Sequence, residues 1–249
     1  MNKRLLKPAA AGISLALLAA CTSVVAPLLK PDVSTAITRV KAGDYALDPA
    51  HAAVLFRINH LGFSTYIGRF ETFDASLTGD AADPASSRVE AVIDMTSLDV
   101  ANAPFASELM GPDWFDAATF PQAVFKSTSV VMTGDTTAKV TGDLTLHGVT
   151  APVTLDVTFN GAAYDRLRGA DVAGFSAVTT IDRTVFGVSR FSGLVTDTVV
   201  TPPRSKMRGL VHAGRIYPGS TFGIGPVHAH DAVDAAGRPR LRQSPLHLD

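Results

Sequence analysis

The stretch 139–159 constrains the fold more than any other part of the sequence. In its first half Val140, Leu144 and Leu146 share one parity, and polar residues occupy the other. After a break at 147–152 that contains a glycine and a proline, the second half alternates in the same way. A period of two in β-branched residues, interrupted by such a break, predicts two strands joined by a loop. Because one face is apolar and the other polar, we expect a half-buried antiparallel pair.

The same alternation recurs in the domain over residues 44–201, with almost no helix. It predicts further strands at 54–59, 67–78, 88–94, 123–132, 174–181 and 194–201. The one segment with helical character is 104–110, which Gly111 and Pro112 end. Many short strands at even spacing predict an all-β barrel or sandwich.

The N-terminus has the features of an export signal. Lys3, Arg4 and Lys7 precede an apolar run at 9–20, which is shorter than the about 20 residues needed to span a membrane. The run ends in Leu-Ala-Ala-Cys21, which resembles the lipobox of bacterial lipoproteins, where the cysteine is acylated and becomes the mature N-terminus. Cys21 is the only cysteine, which removes any disulfide within the chain.

This resemblance assigns residues 1–20 to a lipoprotein signal peptide and residues 21–43 to a tether. Thr22, rather than Asp, follows the cysteine. By the sorting rules of Gram-negative bacteria, that implies a periplasmic protein anchored by lipid in the outer membrane. The alternative is an ordinary secretory signal that is cleaved nearby, with Cys21 incidental.

The charge distribution argues against a nucleic-acid partner. Residues 21–201 contain 12 basic and 20 acidic residues, a net charge of −8. Nucleic-acid-binding domains usually carry a basic stripe or patch. Hydrophobic residues make up 46% of the chain, which is ample for a core.

Six motifs in register over residues 44–200 resemble the YceI family, the lipid- or polyisoprenoid-binding domain of bacterial periplasms. The motifs are Tyr45-x-Leu-Asp48-x-x-His51; His60-Leu-Gly62; Gly68-x-Phe70; Trp114-Phe-Asp116 with Phe120-Pro121 and Phe125; Gly142-x-Leu-Thr-Leu-x-Gly148-Val-Thr; and Gly174-Phe-x-Ala177 with Ile181-x-Arg183-x-x-Phe186-Gly187. Each motif alone is weak, but their common order is specific.

The resemblance implies a lipocalin-like antiparallel barrel of eight strands over residues 44–201. Its apolar lumen would hold an isoprenoid lipid, polyprenyl or quinone-like, as a store, carrier or scavenger, without a chemical step. Eight strands leave an interior that either fills with side chains or holds one ligand, and alternation alone does not decide between these. Whether the barrel forms a homodimer is left open.

The predicted lumen residues are the apolar positions of inward parity, together with two aromatic residues after the helix. They are Phe56, Ile58, Phe73, Leu77, Val89, Ile93, Trp114, Phe115, Phe125, Leu144, Leu146, Leu155, Val157 and Phe175. A packed core without a cavity would use the same residues. Trp114 and Phe115 either close one end of the barrel or plug it. His60 and Arg183 are head-group candidates, and the alternative for each is a buried hydrogen-bonding role that fixes a turn.

The sequence offers no motif that carries chemistry. There is no nucleophile elbow and no phosphate-binding loop. His228 and His230 could bind a metal, but no third ligand stands at a telling spacing. We therefore expect a binding protein with no catalytic residues, cofactor or metal. There are two rival hypotheses. One is a docking module for a membrane or stress-response complex, and the less favoured one is an enzyme that uses the cavity.

The sequence changes character after residue 201. Pro202 and Pro203 interrupt the last alternating run, because proline has no N–H for a β-ladder. The 48 residues 202–249 contain six Pro and six Gly and carry a net charge of +4. We expect a disordered tail that leaves the last strand short. It is either a lineage-specific extension or the product of an altered reading frame.

Acylation of Cys21 can be tested by metabolic labelling with a palmitate analogue. We expect the wild-type protein to incorporate the label and to fractionate with membranes, because the thiol of Cys21 is the expected acyl acceptor. The Cys21→Ser variant should incorporate none. Equal labelling of the two proteins would contradict the lipoprotein hypothesis.

Overall fold

The computed structural model describes residues 29–193 and two later strand segments, 198–200 and 209–213. Within these residues there is one α-helix, α1 (Ala103–Leu109), and no helix has the length and apolar character needed to cross a lipid bilayer. The strands are β1 (Gly43–Asp48), β2 (Val54–His60), β3 (Ser64–Phe70), β4 (Phe73–Gly79), β5 (Arg88–Asp94), β6 (Leu98–Asp99), β7 (Gln122–Met132), β8 (Thr137–Leu146), β9 (Val149–Asp165), β10 (Ala170–Val178), β11 (Thr180–Asp182), β12 (Thr198–Val200) and β13 (Gly209–Ala213). Cys21, the predicted signal peptide and most of 202–249 lie outside the described residues.

The strands form two antiparallel sheets. In the first, hydrogen bonding runs in the order β1-β13-β10-β9-β8-β7-β5-β4, and β1 pairs with both β4 and β13, so the sheet curls until its edges meet. The second sheet has the order β11-β12-β2-β3-β6. The prediction of an all-β fold with one short helix is confirmed.

The helix forms where the sequence predicts it, for local reasons. The side chain of Asn102 accepts a hydrogen bond from the backbone N–H of Phe105, and Pro104 occupies the first turn. Both features are favourable at a helix N-terminus, because the first N–H groups have no partner inside the helix.

Two predicted strands are each divided between the two sheets. Residues 67–78 are one alternating run in the sequence, but β3 ends at Phe70 and β4 begins at Phe73. Between them the backbone N–H of Glu71 donates to the carbonyl of Ser97 and that of Thr72 to the Ser97 hydroxyl, each at 3.0 Å. The run 174–181 is likewise divided between β10 and β11. Alternation continues across such crossovers, so it does not reveal them.

The predicted loop at 147–152 is shorter in the structure. Only His147 and Gly148, with φ values of 51° and 75°, separate β8 from β9. Both residues lie in the left-handed region, as a two-residue hairpin turn requires. Pro152 is inside β9, opposite Asp143.

Strand β13 lies within the segment that was expected to be an irregular tail. It supplies four residue pairs to β1 and four to β10. A five-residue strand can stand between β1 and β10 without an alternating sequence, because its backbone N–H and C=O groups make the ladder hydrogen bonds. The domain boundary at residue 201 otherwise stays a prediction.

The outer face of the curled sheet explains the polar parity of the hairpin. Side-chain oxygens of Thr141 and Thr154 lie 2.9 Å apart across β8 and β9. Lys139 also donates to Asp156 at 2.7 Å across the same strands. Cross-strand pairs of this kind each contribute roughly 0.2–1 kcal/mol, so they support the register in which the apolar parity faces inward.

The Arg168 guanidinium joins the end of β1 to the turn between β9 and β10. It contacts a carboxylate oxygen of Asp48 at 3.1 Å and one of Asp165 at 3.1 Å. Asp48 is buried and also contacts the His51 ring. Burial by itself would raise the pKa of Asp165, but hydrogen bonds from the backbone of Arg168 and Leu167 and from the Arg168 guanidinium outweigh it, and the pKa lies below its usual value.

Arg168→Ala should lower the free energy of unfolding by about 1–3 kcal/mol, because a buried carboxylate loses a charged hydrogen-bond donor. The folded-state pKa of Asp165 is depressed, so its share of this stabilisation is present above about pH 4 and is lost as the pH falls further. Denaturant unfolding at pH 7 and pH 3 measures both effects.

Arg69→Ala is the matched control for this prediction. Arg69 contacts Glu71 and Asp99, but all three side chains are exposed, so we expect a loss below about 1 kcal/mol. Equal losses for the two arginine variants would contradict a special role for Arg168.

Candidate functional site: an apolar cavity between the sheets

A cavity of about 700 Å³ lies between the curled sheet and the second sheet. Inward-facing side chains of both sheets form its wall, together with α1 and the loop after it. The volume is typical of small-molecule sites, which span roughly 300–1,000 Å³. The hydroxyl, imidazole and guanidinium groups in the wall belong to His60, Ser64, Tyr66, Thr179 and Arg183.

Twelve of the fourteen predicted lumen residues line this cavity. They are Phe56, Ile58, Phe73, Val89, Ile93, Trp114, Phe115, Phe125, Leu144, Leu146, Leu155 and Phe175. Leu77 and Val157 have the same parities but are not in the wall. The structure gives the position of the twelve wall residues, and their contact with a ligand stays a prediction.

A second apolar cluster explains why Leu77 is outside the cavity. Leu77 packs against a buried cluster that includes Tyr45 and Phe159. Phe175 belongs to both this cluster and the cavity wall, so the cluster bounds the cavity on that side. Parity therefore identifies the inner face of a strand, while the depth of a residue along the strand decides whether it meets the cavity or the cluster.

Several wall residues are only partly buried although they point inward. This is true of Phe73, Val89, Ile93, Leu144 and Leu155. In a packed core, other side chains would cover residues at such positions almost completely. Here part of their apolar surface borders the cavity, which makes that surface available to an apolar ligand.

Trp114 and Phe115 stand in the wall on the loop after α1. The Phe115 ring meets the Phe70 ring edge-on, with centroids 6.3 Å apart. The Trp114 ring lies 5.9 Å from the Phe191 ring. These contacts support the interpretation that the two residues close one side of the cavity without filling it.

Arg183 has the turn-fixing contacts that were considered as the alternative to a head-group role. Its side chain is buried and donates to the backbone carbonyls of Val188 at 2.8 Å and Arg190 at 2.9 Å. The guanidinium also lies 5.9 Å from the centre of the Trp114 ring, within cation–π range. These contacts hold the turn after β11, and Arg183 also borders the cavity.

His60 is placed differently from Arg183. It is exposed at the end of β2, opposite Ser64 of β3, and both residues line the cavity at this end. Two pairs further along the hairpin, Tyr66 is half-buried and its hydroxyl donates to the carbonyl of Val100 at 3.3 Å. Burial raises the pKa of Tyr66, so its phenol stays neutral at physiological pH.

The contribution of β3 and α1 to the wall was missed in the sequence analysis. Tyr66 and Phe70 line the cavity from β3, and Phe105 and Leu109 line it from α1. The parity of β3 is hidden by Gly68, where an added Cβ would lie 2.2 Å from the Phe56 ring. The glycine is needed because that ring covers the backbone. The i, i+4 spacing of the two helical residues was a usable signal.

The described part of the wall contains no Asp, Glu, Lys or Cys side chain. No group of three or more His, Cys, Asp or Glu residues that could hold a metal occurs in the described ranges either. The arrangement is suited to burying apolar surface. Of its few polar groups, those of Tyr66, Thr179 and Arg183 donate hydrogen bonds to backbone carbonyls.

Comparison with protein families matches residues 45–201 to the YceI-like domain. A UPF0312 protein from Vibrio parahaemolyticus is 41% identical over 150 residues, which cover 59% of this chain and 79% of that protein. A UPF0312 protein from Pseudomonas putida is 42% identical over 149 residues, covering 59% and 77%.

Solved structures give a consistent result. The crystal structure of BcnA from Burkholderia cenocepacia aligns with a TM-score of 0.56 and 28% identity, covering 67% of this chain and 97% of that one. The YceI protein of Campylobacter jejuni aligns with a TM-score of 0.50 and 25% identity, covering 62% and 92%.

Proposed function

Because the chain belongs to the YceI-like domain family, we propose that it binds an isoprenoid-type lipid in the cavity between its sheets. The observation that carries the proposal is the apolar cavity of about 700 Å³, in whose wall several inward-facing side chains are only partly covered by other side chains. The bound lipid would be stored, carried or scavenged without chemical change.

The composition of the wall favours a neutral, largely apolar ligand. Aromatic rings and branched aliphatic side chains dominate it, and no carboxylate is among its described members. Transfer of each CH₂ from water contributes roughly 0.8 kcal/mol, so even a few five-carbon units supply enough free energy for tight binding. A polyprenyl or quinone-like lipid has this chemistry and needs few polar contacts.

The cavity also helps to distinguish lipid binding from the two rival functions. A docking module needs no internal cavity, so the cavity supports a binding function over that rival. An enzyme would be supported by titratable groups with shifted pKa values in the cavity. In the described wall burial raises the pKa of Tyr66, but the wall offers no Asp or Glu side chain as a proton-transfer partner.

We extend the proposal to the setting of the protein. The ring of paired strands supports the description as a lipocalin-like eight-stranded barrel. The Leu-Ala-Ala-Cys21 motif supports lipid anchoring, with the domain in the periplasm and the anchor in the outer membrane. A periplasmic carrier would shield an insoluble lipid from the aqueous space between two membranes.

Leu155→Trp tests whether the ligand occupies the cavity. Leu155 lines the cavity from β9, and the larger indole should take up space that the lipid needs. We expect the amount of co-purified lipid to fall severalfold while the circular-dichroism spectrum remains that of a β-protein. Lipid mass spectrometry of the folded variant measures the change.

Thr154→Trp is the control on the opposite face of the same strand. Thr154 is exposed, so an indole there changes hydrophobicity without entering the cavity. We expect it to retain the wild-type lipid content. If both folded variants carry as much lipid as the wild type, the ligand is not in the cavity.

A further inference from the structure

The turn between β2 and β3 exposes two large apolar side chains. Phe63 is 89% exposed and Leu61 is 50% exposed. Neither belongs to one of the two apolar clusters in the described chain. The ten residues 58–67 around them contain no Asp, Glu, Lys or Arg. Natural hairpin tips are usually polar, so this tip calls for an explanation.

The backbone at this tip is strained in a way that a different residue would relieve. The Phe63 N–H donates to the His60 carbonyl at 3.0 Å, and Leu61 and Gly62 have φ values of 56° and 77°. Such a turn favours asparagine or glycine at its first central position, and a leucine there is a conformational outlier. The leucine is therefore retained at a cost in folding stability.

The β8–β9 turn, which also has two successive residues of positive φ, shows what a structural residue does at this position. His147 has a φ of 51° before Gly148, and its ring nitrogen contacts the Phe186 carbonyl at 3.1 Å. Its ring also packs against Phe120 with centroids 4.9 Å apart. Leu61 instead presents half of its surface to solvent and belongs to neither apolar cluster.

The exposed tip is continuous with the cavity. His60 and Ser64, which flank the tip, pair across the hairpin and line the cavity. The second pair beyond them, Ile58 and Tyr66, lines it as well. A chain that enters beside His60 and Ser64 therefore meets Ile58 and the Tyr66 ring next, and the apolar wall of the interior after them.

We propose that the β2–β3 tip, Leu61 to Phe63, inserts into the surface of a phospholipid bilayer and that the lipid passes between membrane and cavity beside it. The surface suits a bilayer better than a second copy of the chain, because two side chains offer roughly 300 Å², whereas a stable dimer buries about 800 Å² on each partner. Because 58–67 contains no Asp, Glu, Lys or Arg, the tip can enter a zwitterionic bilayer without desolvating any of these side chains.

The proposed role of the tip in lipid transfer rests on the proposed function, but its contact with a membrane does not. Contact with a membrane is measurable with an empty cavity, and Leu155→Trp should leave it unchanged. A failure of membrane binding would therefore not be confused with a failure of cavity binding.

Flotation of the full chain with phosphatidylcholine vesicles tests the proposal. Every protein carries Cys21→Ser, so that no acyl chain at that position contributes. Leu61→Asn should lower the vesicle partition coefficient about tenfold, which corresponds to about 1.4 kcal/mol. The same substitution should raise Tm by about 2 °C or more, because asparagine accepts a positive φ. Phe63→Ser should also weaken binding, and added salt should have little effect on the wild type.

Leu167→Asn is the matched control, since Leu167 is 72% exposed but lies in the turn between β9 and β10, outside the β2–β3 tip. It should bind vesicles like the Cys21→Ser parent. The proposal is overturned if the Leu61 and Leu167 variants partition alike, or if Leu61→Asn lowers Tm, which would assign the leucine to packing. Self-association that Leu61→Asn abolishes while vesicle binding persists would assign the tip to a dimer interface and also overturn it.

Discussion

The curling of one sheet until β1 pairs with both β4 and β13 is the constraint on which the rest of the structure depends. Closure gives the curled sheet an inner and an outer face, and the residues that line the cavity lie on the inner one. It also encloses more space than the inner side chains fill, so Phe73, Ile93 and Leu144 face inward yet remain partly accessible. An unfilled apolar interior is unfavourable unless a ligand occupies it, because wall atoms without neighbours lose dispersion contacts.

The second sheet follows from the excursions that the chain makes between strands of the curled sheet. Strands β2 and β3 leave after β1 and return at β4, while β6 and α1 leave after β5 and return at β7. These excursions cover the cavity with Phe56, Tyr66 and Phe105. The same hairpin that closes the cavity carries the strained, apolar tip, so the cover and the proposed membrane contact are one element.

Much of the fold and of the cavity wall could be predicted from the sequence, because alternation is a direct consequence of strand geometry. Leu144 and Leu155 were placed on the inner face by parity alone, and both line the cavity. Parity does not encode which sheet a strand joins, so the division of 67–78 between β3 and β4 was not predicted. It also does not encode depth, which is why Leu77 lies in the second cluster. Gly68 interrupts the apolar parity of β3 because the Phe56 ring covers it.

Native extraction of the protein from its own cells, followed by lipid mass spectrometry, tests the central claim most directly. A carrier with an apolar cavity should release an isoprenoid-type lipid in near-stoichiometric amount, and Leu155→Trp protein prepared in parallel controls for lipid that adheres to the surface. Recovery of no lipid, or of the same lipids in equal amount from both proteins, would contradict a lipid-binding cavity.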